Sequence, residues 1–143
     1  MSASVLIADD DPNISRALSF LMEREGHKVR TVADGQQALA AIAEMAPDLV
    51  LLDLMMPRGN GYDVCRTLRA DRSYDDIRIV MLTAKGGEAD RLAGMDLGAD
   101  AYITKPFASG EVVRCVAEVL ARRQSQAAAP GGFLDPRAGR ARS

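Results

Sequence analysis

The sequence predicts an α/β protein built on a doubly wound parallel sheet. Four short apolar runs each end on a polar residue, and segments with helical periodicity separate the runs. Runs of this length and composition are typical of buried strands in a parallel sheet that helices cover on both faces. Ligand sites in such sheets form at the carboxyl ends of the strands, so the polar residues after the runs are the first candidates for a functional site.

The first two strand–helix units are marked by proline and glycine. Residues 5–8 form the first predicted strand, and Pro12 opens a helix that Gly26 ends, because proline suits the first helical turn and glycine suits the residues after a helix. The second strand covers residues 28–32, and the helix after it stops before Pro47.

Three further units complete a (βα)5 pattern. The third strand ends at Asp53 and is followed by a loop rich in turn residues and by a third helix. The fourth strand is predicted at 77–82, the fourth helix at 88–97 and a short fifth strand at 102–104. The last helix carries one apolar stripe, which predicts that it covers the sheet: Val112, Val113, Val116, Val119 and Leu120.

The length and composition predict one domain with a basic tail. A chain of 143 residues with 48% hydrophobic residues is long enough for a single core. We assign residues 1–123 to this domain and residues 124–143, rich in Ala, Gly, Pro and Arg, to a flexible tail or linker stub, because the tail has too few bulky apolar residues for a second core.

The charge of the domain argues against nucleic acid as a direct partner. Through residue 121 there are 13 Lys and Arg against 19 Asp and Glu, whereas residues 122–143 hold 5 against 1. An acidic domain repels phosphate backbones, and a short basic tail attracts them only weakly. We therefore expect no direct DNA binding. No apolar segment has the length of a membrane span and no leader precedes the first strand, so we expect a cytoplasmic protein without a membrane partner.

Acidic residues after the first strand indicate a cation site. Asp9, Asp10 and Asp11 are adjacent carboxylates, which are costly in a cleft unless a cation compensates them. Asp11, directly before Pro12, is assigned to the cap of the first helix. Asp9 and Asp10 remain as ligands for Mg²⁺, which prefers carboxylates, water and phosphate oxygens, and Asp53 is expected at the same edge of the sheet.

Three further residues indicate phosphoryl chemistry. Asp53 follows the most apolar run, and a carboxylate there is either a third metal ligand or a nucleophile that forms an acyl phosphate. Thr83 and Lys105 end the fourth and fifth strands. A hydroxyl and an ammonium are the donors that orient and neutralise an added phosphoryl group, which favours the nucleophile.

These motifs together resemble the receiver domain of bacterial two-component response regulators. The resemblance rests on Asp9-Asp10, the Asp53 to Pro57 segment with Gly61, Thr83-Ala84, and Lys105 with the Pro106-Phe107 pair after it, and it covers about residues 3–122. It implies a flavodoxin-like fold with strand order 2-1-3-4-5. The type most similar in organisation is the stand-alone chemotaxis regulator.

The resemblance implies a role for each site residue. Asp53 accepts a phosphoryl group from a sensor histidine kinase or a phosphotransfer protein. Mg²⁺ is the cofactor, held by Asp9, Asp10, Asp53 and the backbone carbonyl of Met55. Thr83 and Lys105 contact the phosphoryl oxygens. In this family the bond that corresponds to Lys105–Pro106 is usually cis.

Tyr102 matches the family's aromatic switch position. The resemblance implies that Thr83 moves toward the phosphoryl group and that Tyr102 turns into the space left behind, which changes a surface for a downstream protein target. The chain is then a phosphoacceptor switch that catalyses only its own phosphorylation and dephosphorylation, and a phosphorylation-dependent dimer stays an open alternative.

Two other functions remain as alternatives. The chain is either a stand-alone switch or the receiver part of a larger regulator with an output domain, and the absence of a second core favours the stand-alone arrangement. A haloacid-dehalogenase-like phosphatase also forms an aspartyl phosphate but carries DxDxT after its first strand. This chain has Asp9-Asp10-Asp11-Pro12 there, which disfavours the phosphatase.

Overall fold

The strands form one five-stranded parallel sheet in the order β2-β1-β3-β4-β5. The structure, a computed structural model, describes residues 2–84 and 97–128 and, within 123–128, the backbone alone. The strands are β1 (Ser4–Ala8), β2 (Lys28–Val32), β3 (Leu49–Asp53), β4 (Arg78–Ala84) and β5 (Ala101–Lys105). The predicted fold class and strand order are confirmed.

Four helices and a short 3₁₀ turn connect or follow the described strands. They are α1 (Pro12–Arg24), α2 (Gly35–Glu44), α3 (Gly61–Arg69), the 3₁₀ turn (Arg72–Tyr74) and the C-terminal helix (Ser109–Ala128). The side chains of Asp11, Asp34 and Asn60 cap the amino ends of α1, α2 and α3 by accepting backbone N–H groups. The cap assigned to Asp11 from the sequence is therefore present.

The core divides into two layers because strand side chains alternate between the faces of the sheet. Val5, Ile7 and Leu51 face α1 and the C-terminal helix, whose stripe packs on them through Val112, Val116 and Val119. Leu6 and Leu52 face α2 and α3. All five residues of β3 are buried, as expected for the most apolar run in the sequence.

Two predicted segments fall wholly or partly outside the described residues. The fourth predicted helix, 88–97, lies outside them up to residue 96, and so does the predicted tail from residue 129 onward. The C-terminal helix runs to Ala128, past the boundary placed at residue 123. No helix in the described part of the chain combines the length and apolar character needed to span a bilayer.

Candidate functional site

The carboxyl edge of the sheet brings Asp9 and Asp53 side by side. Ala8 pairs with Leu52 across β1 and β3, so the next residue on each strand is a carboxylate. Both aspartates are buried, with 2% and 6% of their surface exposed, whereas Asp10 is exposed. Carboxylate oxygens of Asp9, Asp10 and Asp53 all lie within 4.8 Å of one another. The three residues predicted to hold a cation therefore converge.

The donor set fits a hard divalent cation. The converging atoms are carboxylate oxygens, which Mg²⁺ prefers over nitrogen or sulfur ligands, and the exposed Asp10 leaves one side open for water. Met55 is 73% exposed and lies two residues after Asp53, so its backbone is at the same edge. The Met55 N–H donates to Asp53 Oδ1 at 3.3 Å.

Lys105 spans the two buried carboxylates. Its Nζ donates to Asp9 Oδ2 at 2.9 Å and lies 3.4 Å from Asp53 Oδ1. Burial acts to lower the pKa of Lys105, but the hydrogen bond from Lys105 to Asp9 and the charges of Asp53 and Asp9 outweigh it and raise the pKa above its ordinary value. The ammonium is therefore held charged where an added anionic group would be neutralised. The bond between Lys105 and Pro106 is cis, as expected.

Asp53 is a carboxylate with reduced acidity. Burial, followed by the charge of Asp9, raises its pKa to about 6, while Lys105 and the Met55 N–H act in the opposite direction. An ordinary aspartate carboxyl has a pKa near 4. A carboxylate with a raised pKa is a stronger nucleophile than an ordinary one once it is ionised, and a bound cation favours its ionised form.

Thr83 and Tyr102 lie on β4 and β5, the two strands on the side of β3 that faces away from β1. Asp53 pairs with Leu82, so Thr83 is one residue beyond it on β4, where it pairs with Thr104. Thr83 is buried at 2% exposure. Tyr102 pairs with Met81 on β4 and packs, half-buried, against the core layer under α2 and α3. The predicted hydroxyl and aromatic positions are thus neighbours on β4 and β5.

Two charged residues near the site were not predicted from the sequence. Arg58, in the loop between β3 and α3, makes a salt bridge with Asp34, the cap of α2, with Nη2 at 2.7 Å from Oδ2. Asp34 is buried at 1% exposure. The signal available in the sequence was an aspartate directly before a helix, which predicts that Asp34 caps α2 but does not predict its charged partner.

The chain is similar to response regulators in sequence and in structure. Residues 5–117 match the family described as response regulator receiver domain. "DNA-binding response regulator MtrA" of Mycolicibacterium smegmatis is 45% identical over 90% of this chain and 55% of its own length. A crystal structure of a protein from Chloroflexus aurantiacus assigned as a response regulator is 34% identical, with a TM-score of 0.82 over 85% of this chain and all of that chain.

A chemotaxis protein is similar as well. The chemotaxis response regulator CheY4 of Vibrio cholerae is 28% identical, with a TM-score of 0.78 over 83% of this chain and 99% of that chain. Both regulators that are named for DNA binding and regulators that are named for chemotaxis are thus similar to this chain.

The similarity to MtrA corrects the expectation that DNA is excluded as a partner. The chain spans about half the length of the curated relatives it matches, and MtrA is named as a DNA-binding regulator. The expectation was wrong because it used the net charge of this chain alone. A net charge describes only the residues that are counted, so the charge of this chain says nothing about the rest of such a regulator.

The family match and the similar proteins indicate the same kind of domain as the cluster of charged residues at the carboxyl edge of the sheet. Lys105 at the end of β5 contacts the buried Asp9 and Asp53 at this edge, and the buried Thr83 lies near the carboxyl end of β4. The chain belongs to the family of response regulator receiver domains.

Proposed function

We propose that Asp53 is the phosphoacceptor of this receiver domain and that Asp9, Asp10, Asp53 and the Met55 carbonyl hold Mg²⁺ beside it. The observation that carries the proposal is the pair of contacts from Lys105 to two buried carboxylates, since an ammonium fixed there is already where phosphoryl oxygens would need it. Three carboxylates within 4.8 Å of one another support the metal assignment.

The chemistry is the transfer of a phosphoryl group from nitrogen to oxygen. An Asp53 carboxylate oxygen attacks the phosphorus of a phosphohistidine on a sensor kinase or a phosphotransfer protein. The O–P bond forms as the N–P bond breaks, and the imidazole leaves as a neutral ring that keeps the proton on its other nitrogen. When Mg²⁺ is bound, it supplies charge neutralisation for the carboxylates and the phosphoryl oxygens.

Thr83 and Lys105 then bind the added phosphoryl group. The phosphoryl group adds negative charge and acceptor oxygens, which the Lys105 ammonium and the Thr83 hydroxyl bind as donors. Tyr102, half-buried beside β4, is the side chain that changes position when Thr83 moves. The domain in this account is a switch that catalyses only its own phosphorylation and dephosphorylation.

A labelling assay tests the phosphoacceptor. Wild-type protein and Asp53→Asn are incubated with acetyl phosphate and Mg²⁺ and followed by intact mass. We expect one phosphoryl group on the wild type, none on Asp53→Asn, and none on the wild type in EDTA. Labelling of Asp53→Asn at the wild-type rate would show that another residue is the acceptor.

The similarity to MtrA, at 45% identity, favours a DNA-binding output for this receiver. We propose that this receiver controls such an output, and chromatin immunoprecipitation with an antibody against the receiver domain tests the proposal. Enrichment at discrete promoters that increases with phosphorylation supports it. Absence of enrichment in cells where the receiver is phosphorylated contradicts it.

A further inference from the structure

A salt bridge holds the loop that follows Asp53 against the start of α2. This β3–α3 loop comprises residues 54–60. Arg58 Nε and Nη2 both contact Asp34 Oδ2, at 2.9 and 2.7 Å, while Asp34 Oδ1 accepts the Gln37 N–H at 2.7 Å as the helix cap. The Asp34 side chain is 2% exposed and that of Arg58 is 62% exposed. One oxygen of the buried Asp34 carboxylate thus caps α2, and the other binds Arg58 of the loop.

The backbone of the loop is tied to the same helix end. The Gln36 N–H donates to the Arg58 carbonyl at 3.0 Å, and the Gly35 N–H donates to the Pro57 carbonyl at 3.4 Å. Gly35 and Gly59 approach so closely that a Cβ on Gly35 would clash with the backbone of Gly59. The α2 N-terminus therefore satisfies its backbone donors with carbonyls of the loop.

The loop adopts a turn that needs such support. Arg58 has a φ of 49° and Gly59 has a φ of 101°, so two successive residues are in the left-handed region. A residue other than glycine is strained there and stays there only when its surroundings hold it. The salt bridge and the two backbone hydrogen bonds are the contacts that hold Arg58.

The other end of the loop is the phosphorylation site itself. The Met55 N–H donates to Asp53 Oδ1, and the Leu54 carbonyl accepts the Gly61 N–H at 3.0 Å, which closes the loop at its base. A loop of seven residues with one end fixed at Asp53 and its tip fixed at Asp34 has little freedom between them. A shift of the tip would therefore move the Met55 backbone relative to Asp53.

We propose that Arg58 and Asp34 are positioning residues that hold the β3–α3 loop so that the Met55 backbone lies where Mg²⁺ and Asp53 require it. The inference rests on the proposed function for the ligand role of Met55. The pair does not touch the reacting atoms and acts through the loop. An ordinary exposed salt bridge contributes little, whereas this pair joins a buried carboxylate to a strained turn next to the site.

Arg58→Ala tests the proposal, with Arg66→Ala as the matched control. Arg66 is 63% exposed, and its Nη1 lies 3.1 Å from Asp63 Oδ1 on α3. Arg66→Ala therefore removes a similar salt bridge at a position outside the loop. The first measurement is hydrogen exchange of the Gln36 amide in metal-free protein. We expect exchange about tenfold faster in Arg58→Ala, and unchanged exchange in Arg66→Ala.

The second measurement is the affinity for Mg²⁺, followed by NMR shifts of backbone amides. We expect a dissociation constant about three- to tenfold higher in Arg58→Ala and unchanged in Arg66→Ala. Arg58→Lys should retain part of the affinity that Arg58→Ala loses, because an ammonium keeps the charge but makes only one of the two contacts with Asp34 Oδ2. Asp34→Asn keeps an oxygen for the cap of α2 and is expected to weaken Mg²⁺ binding as Arg58→Ala does.

The single variants and their combination also form a double-mutant cycle, which tests whether Arg58 and Asp34 affect Mg²⁺ affinity through each other. If the pair acts as one unit, Arg58→Ala combined with Asp34→Asn binds Mg²⁺ no more weakly than either single variant. Unchanged Mg²⁺ affinity in folded Arg58→Ala, or equal losses in Arg58→Ala and Arg66→Ala, would overturn the proposal. Should Arg58→Ala not fold, the same comparison is made with Arg58→Lys and Asp34→Asn.

Failure of the inference is distinguishable from failure of the proposed function. Phosphoryl labelling of the wild type on Asp53 together with unchanged Mg²⁺ affinity in Arg58→Ala rejects the positioning role alone. Weakened Mg²⁺ affinity in Arg58→Ala without any labelling of the wild type rejects the phosphoacceptor role and leaves the positioning of a metal ligand intact.

Discussion

At the scale of single residues, the site places charged groups where burial lowers the stability of the folded protein. Two buried aspartates lie next to each other, and Lys105 contacts both of them. Burial of a carboxylate beside a like charge is unfavourable, and this is why the pKa of Asp53 is raised to about 6. Replacement of Asp53 by a neutral residue should therefore stabilise the metal-free protein, whereas replacement of Lys105 should destabilise it.

Asp53→Asn should stabilise the metal-free protein above about pH 6. The folded state binds the Asp53 proton more tightly than the unfolded state, so the wild type loses stability as pH rises from about 4 through about 6. With allowance for screening by solvent, the variant should be about 1–2 kcal/mol more stable at neutral pH, and the difference should vanish at low pH.

Urea unfolding in EDTA across this pH range measures the difference. The quantity that matters is the change in the difference with pH, because a constant offset reports only altered packing by the amide. An identical difference at about pH 4 and at about pH 7.5 would contradict the raised pKa of Asp53.

Lys105→Met should destabilise the metal-free protein and increase its response to Mg²⁺. The variant leaves Asp9 buried without its cation, at a cost of about 1–3 kcal/mol given that the Lys105 side chain is 25% exposed. Mg²⁺ then compensates more charge than in the wild type, so thermal unfolding should show a larger rise in Tm on addition of Mg²⁺. Lys28→Met, at an exposed position on β2, is the control and should show neither effect.

At the scale of elements, the two buried aspartates and the lysine of the site lie where strands end. β3 ends at Asp53, β5 ends at Lys105, and Asp9 directly follows β1. The base of the β3–α3 loop is as important as the strand ends, because Gly61 packs against the backbone of Asp53 and Leu54. A Cβ at Gly61 would lie 2.7 Å from the Asp53 carbonyl oxygen and 2.9 Å from Leu54 Cα.

Gly61→Ala should therefore disturb the site through the backbone. The clash forces the start of α3 away from Asp53, and we expect a loss of about 1–3 kcal/mol in the free energy of unfolding and slower phosphorylation. Gly110→Ala is the control, since nothing lies within 4 Å of the added carbon in the C-terminal helix. It should be neutral or stabilising by up to about 1 kcal/mol. Equal effects of the two variants in chemical denaturation would refute the close approach at Gly61.

The sequence predicted the elements well because burial and periodicity are local signals. The second strand and the end of the third were placed at the observed residues, and the fourth was placed within two residues of its observed ends. The convergence of Asp9, Asp53 and Lys105 followed from the rule that parallel strands share one carboxyl edge. The 3₁₀ turn at Arg72–Tyr74 was missed, because three residues carry no usable period.

Contacts between loops were not predictable in the same way. The pairing of Arg58 with Asp34 depends on how two loops approach each other across the sheet edge. Arg69, which contacts Asp100 at 3.1 Å and the Gly98 carbonyl at 3.0 Å, similarly joins the end of α3 to the start of β5. Neither pair has a fixed spacing or composition in the sequence, so only the folded arrangement shows them.

At the scale of the whole molecule, the proposed route from the site to the rest of the domain runs through β4 and β5. Thr83 is buried at the end of β4, and Tyr102 lies on β5 opposite Met81. A phosphoryl group on Asp53 can shift the domain only by binding one of its conformations better than the other. In the proposed account, the Thr83 hydroxyl supplies part of that difference.

Thr83→Ala should separate modification from its response. Asp53 would still accept a phosphoryl group, but NMR shift changes around Tyr102 and the C-terminal helix should shrink markedly, because the hydroxyl donor is lost. Beryllofluoride with Mg²⁺, which imitates the acyl phosphate, provides a stable state for the comparison. Thr83→Ser keeps the hydroxyl and should retain most of the response. Full-sized shifts in Thr83→Ala would place the route of the signal elsewhere.

The position of the phosphoryl group in the chain is the most direct test of Asp53 as the phosphoacceptor. Wild-type protein is labelled with acetyl phosphate and Mg²⁺, reduced with borohydride and sequenced by mass spectrometry. The acyl phosphate is converted to an alcohol, so a modified Asp53 becomes homoserine at position 53. We predict homoserine at position 53 and at no other aspartate. A phosphoryl group on serine or threonine, or homoserine at position 9 or 10 with Asp53 unchanged, would contradict the account.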